Sequence, residues 1–164
     1  MTGKSAPAVP VSWGELLDKL TILEIKCCRI DRPTARANVE REHEALVGIA
    51  APALLDPVVV QLVAALRNVN DDLWKIEDAI RIKDAENNFG QDFVDLARSV
   101  YRVNDLRAAI KRQINEQLAS GLVEEKSYVI AFSRTATPEM RAGCGSSAIL
   151  LPTASSAGPT TTPV

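Results

Sequence analysis

The sequence predicts an all-α protein: an antiparallel helical bundle with a long helical hairpin and two shorter helices. Three observations predict it. Apolar residues recur at alternating steps of three and four, turn-forming sequences separate four such segments, and aromatic residues make up only 4% of the 164-residue chain. Strands favour aromatic and β-branched residues, so this composition argues against a sheet.

The first two helices are the shorter ones. Ser12 and Glu15 have the spacing of a capping box, in which a hydroxyl and a carboxylate three residues later open a helix. This helix ends at 31–33, because the residue before Pro33 avoids helical angles. Pro33 suits the first turn of the second helix, which residues 51–52 close.

The third and fourth helices carry the strongest periodicity and form the hairpin. Asp56 followed by Pro57 is a start signal, so a helix is predicted over about 57–86. Residues 87–90, NNFG, predict a turn, and the fourth helix stops near Gly121. The third helix has an uninterrupted apolar seam of Val59, Leu62, Leu66, Val69, Leu73, Ile76 and Ile80.

The ends of the chain lack periodicity. Residues 1–10 predict a disordered lead, 11–130 the helical bundle domain, and 131–164 a disordered tail rich in Ser, Thr, Ala and Pro.

Composition excludes several functions. With 19 basic and 21 acidic residues the net charge is −2, so no nucleic-acid partner is expected. No apolar run approaches the ~20 residues that span a bilayer, so membrane insertion is not expected. The first residues do not form a signal peptide, which predicts a cytoplasmic protein. One histidine, and cysteines without metal-site spacing, predict no metal, and no cofactor motif is present.

A polar row beside the seam of the third helix is the candidate functional feature. Two long helices joined by a short turn run antiparallel, so Asn70 falls level with Asn104 and Arg107. An unpartnered amide between helices costs about 1–3 kcal/mol, so these residues must satisfy one another or bind something. The candidate ligand-binding residues are Asn70, Glu77, Arg81, Asn104, Arg107 and Lys111.

Two interpretations of this row remain open. Buried polar side chains can fix the register of a bundle and its oligomeric state. Alternatively, the basic groups and a carboxylate line a pocket for an anionic, sugar-like metabolite, since an arginine fork suits phosphate or carboxylate. Catalytic residues are unknown in either case.

Four motifs carry a resemblance: VSWGELLDKLTILEIK, VNDDLWKIEDAIR, LARSVYRVNDLRAAIKRQIN and LVEEKSY. Together they resemble an uncharacterised bacterial helical domain of unknown function, over about residues 11–128. The row N-x-x-L-W-x-x-E-D-x-x-R is also similar to a second uncharacterised family, found in gene clusters for lipopolysaccharide and other surface glycans. Neither family supplies catalytic residues.

These observations lead to two hypotheses. The first is a non-catalytic helical scaffold or partner protein in bacterial surface-polysaccharide biosynthesis, with a glycosyltransferase as a partner that the second resemblance implies. The second is a small enzyme or ligand-binding protein that uses the polar pocket. The unbroken heptads of the third helix further predict a homo-oligomer, most simply a dimer.

Overall fold

The computed structural model describes residues 7–125, which are mainly helical and contain no strand. The prediction of an all-α antiparallel bundle is confirmed. The predicted tail, 131–164, and residues 1–6 of the predicted lead lie outside the described residues. The helices are α1 (Trp13–Arg29), α2 (Pro33–Ala50), α3 (Pro57–Ala85) and α4 (Gln91–Gln117), with a short 3₁₀ turn at Ala53–Leu55.

The helix starts follow the predicted signals. The Ser12 side chain accepts a hydrogen bond from the amide of Glu15 at 3.2 Å and caps α1. The Asp56 carboxylate accepts one from the amide of Val58 at 2.8 Å and caps α3. In the turn between α3 and α4, Asn87 has φ 52°, a left-handed conformation that asparagine tolerates better than most residues.

The end of α4 differs from the prediction. The helix stops at Gln117 rather than near Gly121. The left-handed residue that ends it is Ala119, with φ 47°, and the amide of Ser120 donates back to the carbonyl of Asn115 at 2.8 Å. This bond closes a Schellman-type end, in which alanine occupies the position that glycine usually takes.

The apolar core lies at one end of the hairpin, where α1 packs against both α3 and α4. Helix α2 packs on α1 and buries only Ala50 of its own residues. None of the described helices is apolar over enough of its length to cross a membrane. The buried core residues are Leu16, Leu17, Leu20, Ala50, Ala53, Val59, Leu66 and Ile114.

Helix α1 is much shorter than the hairpin it packs on. Its 17 residues span about 25 Å, whereas the 29 residues of α3 span about 43 Å. Its last residue, Arg29, forms an ion pair with Asp71 and lies 5.6 Å from the ring centroid of Trp74. We call residues 75–102, which lie beyond this point, the distal hairpin. None of these described residues is buried, although several lie on the apolar seams.

Candidate functional site

A group of polar side chains lies where α1, α3 and α4 meet, and we call it the polar cluster. Its members come from all three helices and from the segment that follows α4. They are Glu15, Asp18, Thr21, Asn70, Arg107, Lys111 and Glu124.

The carboxylate of Asp18 is the centre of the cluster, and its side chain is only 3% exposed. Arg107 donates to both of its oxygens: Nε lies 2.8 Å from Oδ1, and Nη2 bonds Oδ2. The amide of Asn70 donates to the same Oδ1 at 2.9 Å. The bonds to Asp18 raise the pKa of Arg107, although burial opposes this. Such two-point, charge-assisted pairing fixes both the distance and the orientation of α4 against α1.

Thr21 completes the environment of Asn70, whose side chain is buried. The Asn70 amide also donates to Thr21 Oγ1 at 2.8 Å, and the Thr21 hydroxyl donates to the backbone carbonyl of Asp18 at 2.8 Å. Both amide hydrogens of Asn70 are therefore used. An amide that bonds two groups on α1 favours one register of α3 against α1, because a shifted register would leave it unpaired.

Lys111 forms the second part of the cluster. Its ammonium pairs with Glu15 and, at 2.8 Å, with Glu124, and its side chain is 8% exposed. Burial is the largest influence on the pKa of Lys111 and lowers it, but the bonds to Glu124 and Glu15 outweigh it, so the pKa is raised. Both glutamates are 42% exposed, so water also reaches them.

A close approach of α1 to α4 brings these groups together. The amide of Gly14 donates to Asn115 Oδ1 at 2.7 Å. A Cβ at Gly14 would lie 2.6 Å from the carbonyl oxygen of Lys111, closer than real Cβ atoms approach. Glycine at this position therefore allows the backbones to meet, and this contact places Glu15 and Asp18 beside their basic partners.

The six candidate residues from the sequence divide into two groups. Asn70, Arg107 and Lys111 belong to the cluster. Glu77 and Arg81 do not: their side chains are 50% and 69% exposed, and they pair with each other within α3 at 3.3 Å.

Asn104 is half-buried, and within residues 7–125 its side chain forms no hydrogen bond. The structure therefore brings only three of the six residues together, because α1 ends before it reaches Glu77 and Arg81. That the six residues bind a ligand stays a prediction.

Sequence reasoning missed Asp18 and Thr21, although a signal for them exists. Gly14, Asp18, Thr21 and Ile25 follow one another at steps of four, three and four, and all four are buried. They form a second stripe beside the leucine seam. A charged residue on such a stripe indicates a buried ion pair, since a lone buried charge is costly.

Chemically, the cluster is closed on itself. Its two cations face three carboxylates, and each cation contacts at least one of them. An incoming anion would compete with a carboxylate for either cation, and Lys111 is nearly buried between its two glutamates. Across the part of the chain that the structure describes, no group of His, Cys, Asp and Glu side chains is arranged to hold a metal ion.

A second feature is an apolar cleft of about 660 Å³ between the segment before α1, α1 itself and α2. Several apolar side chains on its walls are largely exposed: Val9 is 70%, Val11 53% and Ile49 58% accessible. The lining residues are Pro7, Ala8, Val9, Val11, Ser12, Trp13, Glu15, Leu16, Lys19, Leu46 and Ile49.

Comparison with known proteins identifies a family that matches most of the chain. Residues 8–146 match a family described as "Family of unknown function (DUF6165)", so the match includes all four helices and the whole polar cluster. No curated protein matches the chain. No solved structure matches it either.

Proposed function

The chain belongs to this family of unknown function, and we propose that it is a non-catalytic helical scaffold in bacterial surface-polysaccharide assembly. The observation that carries the proposal is the closed polar cluster. Asp18 is almost inaccessible, and both of its oxygens accept hydrogen bonds from Arg107 or Asn70. A carboxylate that binds a substrate or transfers a proton must be accessible to that substrate. The buried and hydrogen-bonded Asp18 is better suited to holding the helices together.

The apolar cleft supports the binding part of the proposal. Exposed apolar side chains that line a concave surface are typical of sites for protein partners. The cellular context rests on the resemblance of the N-x-x-L-W-x-x-E-D-x-x-R row to a family from surface-glycan gene clusters. We therefore propose a glycosyltransferase of that assembly as the partner, a cytoplasmic location in a bacterium, and self-association of the scaffold.

Affinity capture from the native host tests this proposal, with the full chain as bait. The cleft variant Ile49→Glu should lose the captured glycosyltransferase, because it places a charge on the apolar wall. Leu55→Glu is the matched control: Leu55 is 83% exposed and lies outside the cleft, so capture should persist. Capture that is equal for both variants, or that contains no enzyme of glycan assembly, contradicts the proposal.

The second candidate function is a polar pocket for an anionic sugar-like metabolite. The buried cations Arg107 and Lys111 favour it, provided that a ligand replaces their carboxylate partners. A thermal-shift screen of sugar phosphates and nucleotide sugars distinguishes the two functions. A ligand that raises the melting temperature of the wild type but not of Lys111→Met supports the pocket, and no shift across the screen supports the scaffold.

A further inference from the structure

The groove that holds α1 continues along the distal hairpin. Residues seven and eleven apart lie on nearly the same side of a helix, so Glu77 and Arg81 lie on the side of α3 that carries Asn70. On α4, Ala97 lies on the side that carries Lys111. Asn70 and Lys111 both contact α1. Among residues 7–125, no element covers the same side of the hairpin beyond Arg29, for about 18 Å if twelve residues rise 1.5 Å each.

The floor of this distal groove is apolar. Ile80, Phe93 and Val100 lie on the seams between α3 and α4, and each is only half-buried. Beneath α1, the equivalent seam residues Leu66 of α3 and Ile114 of α4 are fully buried, at 0% exposure. The difference follows from α1, which covers one end of the groove and not the other.

We propose that a second copy of this chain docks in the distal groove, with the two α3 helices antiparallel across a twofold axis that passes between Glu77 and Arg81. This inference rests on the self-association included in the proposed function and names the face that performs it. The distal groove of each copy then covers the apolar floor of the other. A twofold contact of this kind uses the same patch on both copies.

The charges of Glu77 and Arg81 on α3 favour a second copy of the chain as the partner that fills the distal groove. An acid and a base four residues apart are self-complementary across a twofold axis that passes between them. Glu77 then faces Arg81 of the other copy, and Arg81 faces its Glu77. In one chain this pair is 3.3 Å apart and largely exposed, so it is held weakly and can exchange partners at little cost.

The size of the groove indicates which class of interface it could form. A face about 18 Å long and two helices wide is at the small end of specific protein interfaces. Weak and transient complexes are common at this end of the range, so the dimer should form only at high protein concentration.

Sedimentation velocity on the full chain, from 5 to 500 µM, tests the proposal. The wild type should pass from monomer to dimer over this range. Glu77→Arg alone and Arg81→Glu alone should each weaken dimerisation by at least about tenfold, because like charges then meet across the axis. An equimolar mixture of these two variants should dimerise about as well as the wild type, since one copy is then wholly basic at these positions and the other wholly acidic.

The mixture separates contacts between copies from contacts within a helix. Each variant alone also loses its own pair within α3, and mixing cannot restore that pair. Recovery on mixing therefore requires exchange between copies. Arg36→Glu is the matched control, because Arg36 pairs with Glu40 on α2 at the same spacing and similar exposure; it should leave dimerisation unchanged.

A second variant tests the groove without relying on charge pairing. Ala97 is exposed, so Ala97→Arg should preserve the helical circular dichroism spectrum while its long side chain blocks the groove and abolishes the dimer. A wild type that stays monomeric at 500 µM overturns both this interface and self-association. A wild-type dimer that Ala97→Arg leaves intact, or variants that do not recover on mixing, overturn this interface alone. Capture of the glycosyltransferase is an independent result in every case.

Discussion

Replacement of Arg107 by methionine should destabilise the protein strongly, although the Arg107 side chain is 27% exposed. The Asp18 side chain is 3% exposed, so methionine at position 107 would leave a largely buried carboxylate without its cation. Removing one member of a buried ion pair costs about 3–5 kcal/mol. Domains of this size are stable by only about 5–15 kcal/mol. The melting temperature should therefore fall by roughly 10–20 °C.

Lys111→Met is the matched control, one helical turn away on α4. The partners of Lys111 differ from Asp18 in one decisive respect: Glu15 and Glu124 are both 42% exposed. They can turn to water when the ammonium is removed, and methionine fills the space of the lysine stem. We expect a loss below about 1 kcal/mol, as for other partly exposed pairs.

Urea unfolding at pH 7, followed by circular dichroism at 222 nm, measures both variants on the full chain. A third protein, Asp18→Asn with Arg107→Met, removes the buried charge but keeps an oxygen to accept from Asn70. It should recover at least about half of the lost free energy of unfolding. Equal losses for the two single variants, or no recovery in the double variant, would refute the role assigned to the buried Asp18 charge.

Three further predictions follow from local geometry. Gly14→Ala should cost about 1–3 kcal/mol, because its Cβ would lie 2.6 Å from a backbone oxygen of α4 and force the helices apart; Gly48→Ala, with open space around it, should instead stabilise α2 by about 0.5–1 kcal/mol. Ala119→Gly should raise the stability by about 0.5–1 kcal/mol, because it relieves a positive φ of 47°. The pKa of Asp56 is lowered by a hydrogen bond from Gln117 and by the amide it caps, so its contribution to stability is present above its unfolded pKa of about 4 and is lost as the pH falls.

Chemical denaturation measures all three. A loss for Gly48→Ala comparable with that for Gly14→Ala would show that crowding is not the cause. A less stable Ala119→Gly would contradict the strain at the end of α4. For Asp56, the stability of the wild type relative to Asp56→Asn should decline between pH 6 and pH 2; a constant difference would exclude the ionised carboxylate as its source.

Local sequence signals predicted the elements well, because the interactions that start and stop helices are local. Ser12 and Asp56 cap the helices that they were expected to cap. The partner of the Glu15 side chain, in contrast, could not be predicted from the local sequence. Capping-box spacing suggested that its carboxylate would return to the helix start, but it pairs with Lys111, 96 residues away. That choice depends on a cation that only packing brings near.

The candidate site was predictable in part for the same reason. Asn70 follows the seam valine, so its position at the edge of the core could be derived from helical geometry. Its partners could not, because Asp18 and Thr21 belong to a helix about fifty residues earlier in the chain. The apolar pattern determines which side of each helix is buried, but it does not state which helix covers that side.

The sequence by itself determined four helices, their boundaries to within a few residues, and a polar row beside the seam of the hairpin. Only the tertiary structure decided which residues of that polar row are buried. A 17-residue helix lies along a 29-residue one, so Asn70 is buried against Asp18 while Glu77 and Arg81 are exposed in the single chain. The physical reason is the length of α1. Asn70, Glu77 and Arg81 are polar residues on one face of α3, but they differ in burial because α1 covers Asn70 and ends before it reaches the other two.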